Sequence, residues 1–166
     1  MALSPGSLSS TCEPNGMAGD FLCLMKHRMP VLFETEDACA GLFHKGAEEY
    51  VVLSGTLGRT QGFLIIADKL LPVAQDRALF LAILDRLNRD SLSGLHQLLD
   101  HSGGVIYLYK QIICFPQGVS QELFDQLLEG GIREFRRGLR YICRELESVL
   151  TVVRRSGGSR MGTDRN

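Results

Sequence analysis

The chain has 166 residues, a length suited to one domain with a sizeable core, and its 45% hydrophobic and 22% charged content is that of a globular protein rather than a disordered one. A net charge of −1 excludes any global attraction to nucleic acid or to an anionic membrane surface. No run approaches the ~20 apolar residues needed to span a bilayer, so no membrane association is expected.

Residues 1–19 are rich in Ser, Gly and Pro without periodicity and read as a disordered leader. Pro5, Gly6, Pro14 and Gly16 break any apolar stretch that could serve as a secretory signal. The five cysteines (Cys12, Cys23, Cys39, Cys114, Cys143) are odd in number and never form a C-x-x-C pair, which points to reduced thiols in a cytoplasmic protein.

From Val31 to Val73 the apolar residues form short runs of strand length: Val31–Phe33, Gly41–Phe43, Tyr50–Leu53 and Phe63–Ile66. Gly46, Gly55, Gly58 and Gly62 punctuate them as hairpin turns would, predicting three or four antiparallel strands closed by Pro72. Asp76 opens a helix, as N-cap or within its first turn, and Leu79, Phe80, Ile83, Leu84 and Leu87 recur at helical spacing up to Asn88–Asp90. Leu95–Leu99 and Val105–Phe115 then flank the polar turn Asp100–Gly104 and predict a second hairpin, ended by Pro116 and Gly118.

Ser120 is the clearest helix start, with Glu122 well placed in the first turn. Leu128, Ile132, Phe135, Leu139, Ile142, Leu146, Val149 and Val153 follow in alternating steps of four and three, carrying the helix towards Arg155. Gly130 and Gly131 interrupt it, so either the helix kinks there or something packs closely against it. Residues 156–166 read as a flexible tail. The expected architecture is a single α+β domain over 20–155, an antiparallel sheet of about five strands with helices on one face. Its order is strand, strand, strand, helix, hairpin, long helix. This is not the alternating pattern of a doubly wound nucleotide-binding fold.

Chemistry is sparse. There is no G-x-x-x-x-G-K-[ST] or G-x-G-x-x-G phosphate loop, and no helix start follows the Gly55, Gly58 and Gly62 cluster. His27, His44, His96 and His101 lack metal-ligand spacing, and His44 and His101 read as solvated, so no cofactor or metal is expected. Cys39 and His44 are near in sequence but have no third orienting group. The acidic clusters Glu34, Glu36, Asp37 and Glu48, Glu49 read as charged strand ends rather than a catalytic pair. No enzyme is expected.

Two surfaces of the last helix invite partners. Its apolar positions Ile132, Phe135, Leu139, Ile142, Leu146 and Val149 would be plain core, or the seam of a homodimer if the helix outruns its sheet. Its arginines Arg133, Arg136, Arg137 and Arg140 form a basic face that could follow phosphates. Interspersed Glu129, Glu134, Glu145 and Glu147, and the lack of an aromatic platform, favour a solvated or protein-facing surface, with nucleic acid second.

The element order from Val31 to Leu150 resembles the superfamily containing the YbjN proteins and the type III secretion chaperones, uncharacterised cyanobacterial relatives included. The likeness is carried by Leu84-Asp-Arg-Leu-Asn88 before a hairpin, by the strand, glycine turn and strand of Leu95–Phe115, and by the Ser120-Gln-Glu-Leu-Phe124 opening of the last helix. It covers about two-thirds of the chain and implies an α-β-β-β-α-β-β-α fold, with Asp20–Met29 available as first helix. It further implies a homodimer that presents apolar grooves and strand edges to a client peptide without turnover. The contact residues expected on that basis are Phe63, Leu64 and Ile66 on the sheet and Tyr107 and Tyr109 on the hairpin, provided that their side of the sheet is open.

Overall fold

The computed structural model describes residues 17–57, 61–71, 77–101, 104–114 and 119–157. The expected roles of Gly58, Pro72, Asp76, Pro116 and Gly118, most of the leader and the end of the tail lie outside them. Chain order is α1 (Met17–Arg28), β1 (Val31–Glu34), β2 (Ala38–Lys45), β3 (Glu48–Thr56), β4 (Gln61–Leu71), α2 (Arg77–Arg89), β5 (Leu95–His101), β6 (Gly104–Cys114) and α3 (Gln121–Gly157). The α+β class is as expected. The sheet has six strands rather than five, because all four early runs pair, and α1 begins inside the expected leader.

All pairings are antiparallel, in the spatial order β1-β2-β3-β4-β6-β5. The β2–β3 turn spans two residues, and Gly46 at φ 67° supplies the positive φ that a type II′ turn needs in its first central position. Gly55 and Gly62, expected in turns, sit instead within β3 and β4. The Phe63 ring lies over Gly55, where a Cβ would meet ring carbons at 2.6 Å, and so fills the space that the missing side chain leaves.

Paired residues share a face, and burial alternates along the strands. The inner face carries Cys39, Gly41, Phe43, Tyr50, Val52, Ser54, Leu64, Ile66, His96, Tyr107, Tyr109 and Ile113. All three helices lie on it. Met29, just past α1, packs on Gly41, and Asn88 of α2 holds β5 by donating to the His96 carbonyl at 2.9 Å and accepting from its amide at 2.7 Å. The α3 residues Phe124, Leu128, Ile132, Phe135 and Ile142 complete the core.

Ser120 caps α3 as its sequence predicts, its hydroxyl oxygen accepting from the Leu123 amide at 3.2 Å. Ser120→Ala should cost about 1 kcal/mol in urea unfolding, and an unchanged midpoint would deny the cap a role. The glycine pair in α3 divides by role. Gly131 lets the helix approach β4, since a Cβ there would meet Ile66 Cδ1 at 2.7 Å, whereas one on Gly130 would meet nothing within 4 Å. The helix runs on as one element of 37 residues.

Candidate functional site

The sequence-expected contact residues do not form one surface. Leu64, Ile66, Tyr107 and Tyr109 are on the inner face, each at most 1% exposed, because α3 lies across β4 and β6 there. They are core, which corrects the expectation that they meet a partner. Phe63 alone of the five faces the other way and is half-buried.

The proposed helical seam is likewise spent within the subunit. Ile132, Phe135 and Ile142 are fully buried, and Leu139 and Leu146 pack against the core. Only Val149, half-buried, lies towards the helix end without a described place in that core. The four-three spacing therefore reports burial against the sheet, not a shared helix pair.

Inside the core lies a polar cluster. His96 Nδ1 is 2.6 Å from the Tyr107 hydroxyl, which also lies 3.4 Å from the Phe135 carbonyl. An Nδ1–H tautomer gives a continuous chain, His96 donating to Tyr107 and Tyr107 donating to the carbonyl. His96 Nε2 is buried without a partner. Burial, with the Arg137 charge adding to it, lowers the His96 pKa to about 4 and keeps the ring neutral. Burial raises Tyr107 as well. Gly138 faces this pair, and a Cβ there would lie 1.9 Å from the Tyr107 hydroxyl. The cluster is sealed within the core and ties β5, β6 and α3 together.

The remaining candidates separate too. Cys39 points to the inner face and is buried, whereas His44, five residues along the same strand, points to the outer face and pairs with Glu49 at 3.5 Å. They cannot form a dyad. Glu34 pairs with Lys26, and Glu48 with Arg136. Cys39, Cys114 and Cys143 are free thiols as expected, whereas Cys23 is disulfide-bonded, against expectation. Among the described residues no three His, Cys, Asp or Glu side chains gather as metal ligands, and no helix is long and apolar enough to cross a membrane.

The arginine face divides in two. Arg133, Arg136 and Arg140 share one side of α3 with Lys45 of β2, around a cavity of about 350 Å³. Arg137 lies elsewhere and pairs with Glu134 at 2.9 Å.

An open sheet face was expected, but apart from Phe63 sequence reasoning did not assign the residues that form it. By register its rows are Ala40, Leu53, Ile65, Lys110 and Leu95; then Leu42, Val51, Ala67, Leu108 and Gln97; with Phe63 opposite Ile112 and Ile106 opposite Leu99. Val51 is 41% exposed, Ile112 48% and Leu99 56%, and no described helix covers them. Phe33, 58% exposed, extends the patch from β1 beside Ala40. The signal was present in the sequence. Tyr50–Leu53 and Phe63–Ile66 are unbroken apolar runs, and a strand solvated on one side alternates instead.

This geometry defines a two-layer α+β domain with one helix-covered and one open apolar sheet face. It is the YbjN-like fold. Among solved structures the chain is similar to the "Crystal structure of YbjN, a putative transcription regulator from E. coli", with a TM-score of 0.53 and 14% sequence identity, over 81% of this chain and 94% of that one. No family model matches the chain, and no curated protein matches it.

Proposed function

We propose that the protein is a non-catalytic binding domain of regulatory or chaperone-like type, working as a homodimer whose two copies meet through their open sheet faces. One observation carries the reading: the central strands are apolar on both sides, but helices cover only one of them. Monomeric soluble proteins rarely leave a patch of this extent in water.

A second copy suits the patch in size and charge. Five interstrand spacings of ~4.8 Å by roughly 25 Å of strand give a flat footprint of about 600 Å². Side-chain relief brings this towards the ~800 Å² per partner of a stable complex. Among the described side chains of the patch Lys110 is the single charged one, off centre, while His44 and Glu49 lie at its rim. A two-fold axis near Leu53 and Ile65 sets apolar surface on apolar surface, the self-complementarity that such symmetry requires.

A protein partner or client segment would then meet what the dimer leaves free. The outer edge of β5 has no neighbouring strand among the described residues and offers backbone groups to an extended peptide. The regulatory part of the proposal is in keeping with the description of the YbjN structure.

Light scattering on the full chain should give twice its 18.4 kDa mass. Ile65→Glu places an unpaired carboxylate in the interface from each copy and should weaken association by at least about 100-fold, with circular dichroism unchanged. A wild-type monomer at tens of micromolar, or a variant dimer of undiminished strength, would overturn the proposal.

A further inference from the structure

We infer that the cavity between Lys45, Arg133, Arg136 and Arg140 is a binding site for a small phosphate-bearing ligand. Residues 129, 132, 133, 136 and 140 fall on one side of α3 by helical spacing, and the β2–β3 turn carries Lys45 up against them. Ile132, fully buried, lies at the base, and the space of about 350 Å³ is at the lower end of small-molecule sites. Four cations wall it. Among the described residues Glu129, paired with Lys45, and Glu48, paired with Arg136, stand against them.

Arg136 is fixed in place. Its Nε donates to the Tyr50 hydroxyl at 2.5 Å, and its guanidinium lies 5.6 Å from the centre of the Tyr50 ring. Arg133 and Arg140 flank it and have no ion-pair partner among the described residues. The result is a preorganised central cation with two free guanidinium groups beside it, an arrangement in want of an anion. A tetrahedral phosphate offers three oxygens and up to two charges to donors arriving from different directions. A single carboxylate satisfies one guanidinium fork.

Nucleic acid fits the site less well. No exposed aromatic side chain lines it for base stacking, and Arg137, which would lengthen the track, is paired on another side of the helix.

The test is calorimetric titration of the full chain with inorganic tripolyphosphate at low salt, beside citrate and a single-stranded oligonucleotide series. Saturable binding of one tripolyphosphate per chain is expected, weakened about tenfold or more by Arg133→Gln and by Arg140→Gln. Arg137→Gln should leave it within about twofold. Sedimentation with phosphoinositide vesicles, set against a soluble inositol phosphate, separates a lipid headgroup from a free phosphate, and capture of either supports the site. No saturable binding, equal loss in Arg137→Gln, citrate binding as tightly, or oligonucleotide affinity rising with length beyond that of tripolyphosphate would each overturn it. Dimerisation through the sheet face is read separately, so the two proposals can fail independently.

Discussion

Alanine at position 138 should lower the stability of the fold by about 3 kcal/mol, whereas alanine at position 130 should raise it by up to about 1 kcal/mol. The two glycines lie two turns apart on the same helix, and intrinsic propensity favours alanine equally at both. The difference is what each faces. A Cβ on Gly130 enters open space, but one on Gly138 would lie 1.9 Å from the Tyr107 hydroxyl and 2.8 Å from His96 Nδ1.

Neither of those side chains has room to yield. Tyr107 is 0% and His96 1% exposed, and they are held to each other at 2.6 Å. Moving them lifts α3 from the sheet or breaks a buried hydrogen bond, and either adds to the overpacking cost. Urea unfolding of both variants, circular dichroism confirming retained helix, measures the contrast. Shifts of the same sign at the two positions would show that Gly138 is not a packing glycine.

A fall of about 3 kcal/mol in stability is expected between roughly pH 6.5 and pH 4, with His96 as the source. In the unfolded chain this imidazole takes up its proton near pH 6.5, while in the native state burial and the Arg137 charge hold its pKa to about 4. Between those values the unfolded state binds a proton that the native state does not, so lowering the pH favours unfolding. Below about pH 4 both states are protonated and the slope from this group ends. Nε2 has no acceptor in the core, and a protonated ring would leave its N–H unsatisfied.

Surface carboxylates titrate over part of the same interval, so the contribution of His96 is isolated by difference. His96→Asn should be less stable at neutral pH but should lose most of the slope between pH 6.5 and 4. In the wild type the ring's own proton resonances should stay unshifted down to about pH 5. Titration of this imidazole at the ordinary histidine value would sink the account.

Elements governed by local chemistry were legible from residues alone. The Ser120 cap, the helical spacing of Phe80, Ile83, Leu84 and Leu87, and the strand runs from Val31 to Ile66 all fall where short-range rules place them. Which side of a strand faces what was not legible, because it depends on where the helices pack. Leu64 and Ile65 are adjacent and equally apolar, yet one lies beneath α3 and the other on the open face. The seam of α3 was seen correctly as apolar and wrongly as shared, since a pattern shows that a side is covered and not by what. His96 carried no sequence signal, as its burial depends on Tyr107 arriving from the neighbouring strand. The cationic cavity needed the β2–β3 turn to bring Lys45 to residues far along the chain.

The strand order has a consequence for how the chain assembles. Four of the ladders join consecutive strands, so each can zip as a hairpin with little loop-closure entropy. The β4–β6 ladder is different: it must close over α2 and β5, and it stitches the first half of the polypeptide to the second. Folding speed is therefore governed by that one long-range zipper, and the two halves stand or fall together through it.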